Sequence, residues 1–213
     1  MISARAIWDK LQPYETVLIE YSSRVEPTPL FYELLNWAKE KGCQVIVDDV
    51  LDTLYQYKVQ LDLAGKDTSI LNDVKVIKLG GRFNVGQLIG RIKIKEPTVR
   101  EHEYRKISES LPIEGGSVVN FVLGFERIFS LAESVEEVLH IMNQILSFVG
   151  DKIRIAFYFM NTDVLESTVP EALNWIEELA TTIVEVGREG KLYKFSVVKS
   201  VNNELSGLEF TLP

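Results

Sequence analysis

Three short runs of this chain are too apolar to leave either side in water. They are TVLIEY (16–21), SVVNFVL (117–123) and IRIAFYF (153–159). β-Branched and aromatic residues dominate them, which favours extended chain. Runs hydrophobic on both sides belong to parallel sheets covered on both faces. Between and around them the apolar spacing switches to the helical period. Leu30, Phe31, Leu34, Leu35 and Ala38 line one helix, stopped by Gly42. Val135, Val138, Leu139, Met142, Ile145, Leu146 and Val149 line another. CQVIVDD (43–49) and VKVIKL (74–79) read as further strands, with a helix over VLDTLYQYKVQLDL between them. Strands alternating with helices predict right-handed βαβ crossovers. The expected fold class is α/β, three layers (αβα), with a mainly parallel sheet.

The flanks complete this reading. Residues 2–11 predict a short helix, with Ser3 as its cap and Ile2, Ala6, Ile7 and Leu11 on one face. GGRFNVGQLIGRIKIK carries four glycines, then Ile92 and Ile94 alternating with Arg91, Lys93 and Lys95, which predicts a half-buried strand with a basic outer face. Pro97 opens a polar helix to about Leu111, and Pro170 opens another to about Thr182. The tail, TIVEV, KLYKFSVVKS and LEFTL, predicts short antiparallel strands with turns at 187–190 and 202–203. No Pro-, Gly- or Ser-rich linker divides the 213 residues, so one domain is expected.

Composition limits function. One cysteine, Cys43, allows no internal disulfide, and nothing resembles a signal peptide or a membrane span, so a cytoplasmic protein is expected. The net charge of −8 gives no strong nucleic-acid signal. The charge is uneven: residues 75–106 hold nine basic and three acidic residues, and the remainder sums to −14. That block reads either as a solvated face, protecting an edge strand, or as a face that docks on the acidic surface of a second copy. His102 and His140 are too few for a typical metal cluster, so no metal and no cofactor are expected.

The order and spacing of these parts resemble the KaiC/RecA-type P-loop ATPase core over nearly the whole chain. IWDKLQPYETVLIEY is similar to the entry into that core's first strand, and LFYELLNWAKEKGCQVIVDD to its P-loop helix and second strand. GGSVVNFVL resembles the Walker B strand, KIRIAFYFMN the next strand, and LYKFSVVKS with GLEFTL the closing hairpin. The chain also resembles an uncharacterised archaeal family of this build from heat-loving species.

The signature residues are missing. Aligned by spacing, the P-loop glycines become Tyr21 and Glu26, the lysine becomes Pro27 and the hydroxyl residue Thr28. Pro27 and Pro29 lack the N–H groups that wrap phosphate, and Glu26 adds a negative charge. The degenerate loop leaves Ser22, Ser23, Arg24 and Thr28 as candidate binding residues. Thr28 is expected to cap the following helix, with Pro29 at its first position. Gly124 stands where the Walker B acid is expected, and Glu126, two residues on, is expected at the surface. The resemblance gives Asp48 and Asp49 the place of acids that activate water. Their plainer role is Asp49 as a helix cap and Asp48 solvated. Asn161 lies at the same sheet edge. Two functions follow: a degenerate module that no longer hydrolyses nucleotide and acts on a protein partner or by self-association, or a divergent metal-dependent enzyme using Asp48, Asp49 and Glu126, with Ser22, Ser23 or Arg24 touching an anionic substrate.

Overall fold

The computed structural model describes residues 4–94, 97–113 and 116–213. The N-terminal helix α1 covers Ala4–Trp8; Ile2 and Ser3, its expected start and cap, lie outside the described residues. Then follow β1 (Thr16–Tyr21), α2 (Thr28–Glu40), β2 (Gln44–Val50), α3 (Thr53–Leu63), β3 (Lys75–Leu79), β4 (Gln87–Ile92), α4 (Pro97–Ser110), β5 (Val118–Leu123), α5 (Glu126–Phe129), α6 (Val135–Leu146), β6 (Arg154–Asn161), α7 (Thr162–Thr168), α8 (Pro170–Leu179), β7 (Thr182–Glu189), β8 (Leu192–Ser200) and β9 (Glu209–Leu212). The short helices α5 and α7 and a 3-10 turn at Thr68–Leu71 carry no periodic signal because each is under two turns or nearly so.

The nine strands form one sheet in the order β4-β3-β2-β5-β6-β1-β7-β8-β9. It is parallel from β4 to β7, and β8 and β9 add the expected antiparallel edge. Alternation of side chains sorts the core into two layers. Val17, Ile19, Val47, Phe121, Phe157 and Phe159 face α1, α2 and α3. Leu18, Ile77, Val122, Ala156 and Tyr158 face the layer that holds α4, α5, α6, α7 and α8. Phe31 of α2 meets Phe121, Phe159 and Tyr57 edge-on, at ring separations of 5.2 to 6.0 Å. Among the described residues no helix is long and apolar enough to cross a membrane.

Four local expectations change. Pro27, not Thr28, holds the cap position of α2; Thr28 begins the helix with its side chain buried, and Pro29 follows as its second residue. β4 ends at Ile92, so Lys93 and Ile94 leave the strand, and Lys95 lies outside the described residues. Gly187 lies within β7, and the turn is made at Gly190 and Lys191. The basic block is not one face. Lys78 and Arg100 are buried, and Arg91 donates to the carbonyls of Gly80 and Gly81 and to Asn84 Oδ1 of its own chain. The edge position of β4 does hold.

Two turns position everything at the carboxyl ends of the strands. β3 and β4 are parallel neighbours joined by residues 80–86 alone, without the helix such crossovers usually carry. Gly124 ends β5 at φ +75°, and a Cβ there would lie 2.2 Å from Thr53 Oγ1 and 3.0 Å from the Val50 carbonyl. Left-handed backbone and steric overlap act together at this residue. Gly124→Ala is therefore expected to lower stability by about 2–5 kcal/mol, measured by urea unfolding. A change within a few tenths would show that Thr53 and β5 yield freely.

Candidate functional site

The carboxyl edge of β1, β5 and β6 is where open α/β sheets bind ligands. β1 ends at Tyr21, and residues 22–27 lead into α2. Positive φ outside glycine occurs among the described residues only at Tyr14, Leu51 and Asp52, so this loop has none of the left-handed turns that wrap phosphate. Its donors serve the chain itself. The Ser23 N–H donates to Asp163 Oδ2 at 2.8 Å, Ser23 Oγ meets the Asn161 amide at 3.1–3.2 Å, and the Val25 N–H donates to the Ser22 carbonyl. Glu26 accepts from the Tyr193 hydroxyl at 3.1 Å and lies 3.8 Å from Arg188. Ser22 is half-buried and Arg24 is exposed.

Glu126 is not at the surface. The turn at Gly124 sends the chain straight into α5, and the Glu126 side chain is buried at the sheet edge. Burial pushes its carboxyl up to about 7; backbone N–H groups of Glu126 and Asn161, and the nearby Arg127 guanidinium, restrain the rise. Arg127 is itself held by the Leu51 carbonyl and Gln56, both at 3.1 Å. Tyr21 and Tyr57 lie close enough for burial and the Glu126 charge to push both hydroxyls up, so they stay protonated donors. This corner can exchange a proton near neutrality and offers neutral hydroxyls beside it.

The adjacent acids do not act together. Period-two alternation sends Asp48 and Asp49 to opposite faces of β2. Asp49, fully buried, pairs with Lys78 Nζ at 2.5 Å and accepts the Leu54 N–H at 2.9 Å. It thus serves the first turn of α3 from outside the cap position, which Asp52 holds. Asp52 pairs with the same lysine at 2.6 Å and accepts the N–H groups of Arg82 and Phe83 at 2.8–2.9 Å. The glycine-rich stretch after β3 therefore cradles an anion, and the anion is the chain's own carboxylate. A Cβ at Gly81 would lie 2.5 Å from it. Asp48, expected in solvent, is buried instead, accepting from Tyr104 Oη at 2.9 Å and Asn120 Nδ2 at 3.1 Å; burial pushes its carboxyl up.

Lys78, Asp52, Tyr104, Asn120 and Arg154 were not among the residues expected to matter. A signal existed for three of them. Lys78, Asn120 and Arg154 interrupt strands that are otherwise apolar, and a polar residue in such a run needs a partner.

The family model DUF257, described as a Pyrococcus protein of unknown function, matches residues 7–211. Among solved structures, the chain is similar to PH0250 of Pyrococcus horikoshii OT3, with 33% identity and a TM-score of 0.84 over 97% of this chain and 96% of that one. It is also similar to the uncharacterized P. horikoshii protein PH0321, solved in complex with an unknown peptide (16% identity, TM-score 0.60, 90% and 86% covered). The KaiC-like P. horikoshii OT3 protein PH0186 follows at 8% identity and a TM-score of 0.59, with 94% and 86% covered. The likeness to this KaiC-like protein shows the RecA/KaiC-like P-loop ATPase fold. No curated protein matches the sequence.

Glu126 makes stability depend on pH. A carboxyl held at about 7 when folded and near 4.5 when unfolded keeps its proton longer in the native state. Its contribution is full below about 4.5 and is lost as pH rises through 7. Glu126→Gln should remove that loss and gain about 3 kcal/mol on the wild type between pH 4.5 and 8. Paired urea titrations across this range check it; parallel curves would place Glu126 in a more polar setting.

Proposed function

We propose, from the premise that this chain belongs to the DUF257 family of Pyrococcus proteins, that it is a one-domain cytoplasmic module that keeps the RecA/KaiC-like frame, acts by binding a protein partner and does not hydrolyse ATP. The start of α2 carries this reading. A phosphate seat needs free N–H donors and a cation at that helix end. Here Pro27 and Pro29 supply no N–H, Glu26 brings a carboxylate, and Ser23 and Val25 already spend their N–H groups within the chain. The anion cradle after β3 is filled by Asp52. The peptide carried by PH0321 supports a binding role for this frame. The metal-dependent reading loses its main support, since Asp48 and Asp49 point away from each other.

Calorimetric titration of MgATP into the protein should give no binding at micromolar nucleotide. Pro27→Lys alone should not restore it: it returns one N–H and a cation, but Pro29 still lacks a donor, and Ser23 and Val25 still spend theirs within the chain. A micromolar dissociation constant at one site per chain would overturn the proposal.

A further inference from the structure

A second polar centre lies at the opposite end of the sheet, near the amino ends of β5 and β6. Arg154 opens β6 and is buried beneath α4 and α6, with its guanidinium 4.9 Å over the Phe148 ring. Its side chain makes one long hydrogen bond, from Nη2 to the Tyr158 hydroxyl at 3.5 Å, and its Nε has no partner. Among the described residues no carboxylate forms an ion pair with it, although a buried cation without one is costly. Asp48 and Asp151 act on it through space, but neither comes within ion-pair distance.

Arg154 borders open space. A cavity of about 350 Å³ runs from Arg154, Asn120 and Tyr104 outward past Ile46, Ile77 and Phe148. That volume is at the small end of ligand sites. Its inner end is polar and its walls are mostly apolar; Ser108 of α4 stands on its border, and Glu109 and Asp151 add negative charge. A guanidinium takes a carboxylate through two parallel charge-assisted bonds. The Tyr158 hydroxyl beside it remains protonated, since burial pushes it up. A single carboxylate would supply the missing counter-charge. A dianion would be opposed by Glu109 and Asp151, and an amine by Arg154.

We propose that this cavity binds a small monocarboxylate with an apolar body, seated head-first on Arg154. The site is independent of the α2 end of the sheet, so it stands or falls apart from the absence of ATP hydrolysis.

Hexanoate is the probe, with 1-hexanol and hexylamine as matched controls, titrated into the full chain by calorimetry and by thermal unfolding. Hexanoate is expected to bind and raise the melting temperature, and the controls to bind roughly 10- to 100-fold more weakly, as the loss of a charge-assisted pair implies. Arg154→Met should abolish the hexanoate effect without lowering the melting temperature of the free protein, because it removes a buried unpaired charge. Ser108→Trp, at a half-buried position on the cavity's border, should block entry while leaving the charge in place. Equal binding of hexanol would make the cavity merely apolar. Preference for hexylamine would hand the site to Asn120 and Asp48. No binding of hexanoate at millimolar concentration would mean that water alone satisfies Arg154. Any of these three results overturns the proposal.

Discussion

Lys78 is the charge on which the left half of the sheet is built. It lies in the middle of an apolar strand, 1% exposed, between Asp49 of the neighbouring strand and Asp52 at the head of α3. A lysine cannot be left there unpaired, nor can Asp49. The lysine therefore fixes β3 against β2, and through Asp52 it fixes the crossover that returns to β4. Leu51 and Asp52 both sit in the left-handed region, at φ 50° and 66°, a conformation that side chains rarely accept. Those bonds hold the strained pair in place. The crossover can be short because a carboxylate pins its backbone where a helix would otherwise pack.

The same economy explains why a nucleotide-binding frame survives without its chemistry. The frame needs apolar strands, amphipathic helices and tight turns at the carboxyl edge, and all are present. The phosphate seat needs donors that point outward, and here they point at Asp163, Ser22 and Asp52. Polar groups that an ATPase turns toward its ligand are turned inward and serve cohesion. Arg154 differs: it is a buried cation with which no carboxylate among the described residues forms an ion pair.

The architecture was legible because it rests on periodicity. The strands at 16–21, 117–123 and 153–159 announced a covered parallel sheet, and the tail announced its antiparallel edge. The site was less legible. Asp48 and Asp49 are adjacent in sequence, and only the strand geometry shows that adjacency separates them across the sheet. Glu126 looked like a surface residue because α5, four residues long, leaves no pattern to read. Thr28 followed by Pro29 has the composition of a helix start, but Pro27 already holds a helical φ of −82° and moves the boundary back by one. The basic run dissolved for a similar reason: Lys78 and Arg100 belong to the interior, which a charge count cannot see.

The strand order has a consequence for how the chain is made. β1 lies between β6 and β7, which follow it about 140 and 165 residues later. During synthesis the first strand therefore emerges with both of its edges unpaired and stays so while most of the protein is translated. β2, β3 and β4, by contrast, meet close neighbours almost as soon as they appear. Strand pairs distant in sequence form late and leave apolar edges open to other molecules. The nascent chain thus carries TVLIEY unpaired until β6 and β7 are made, and in the finished protein that strand lies shielded within the sheet.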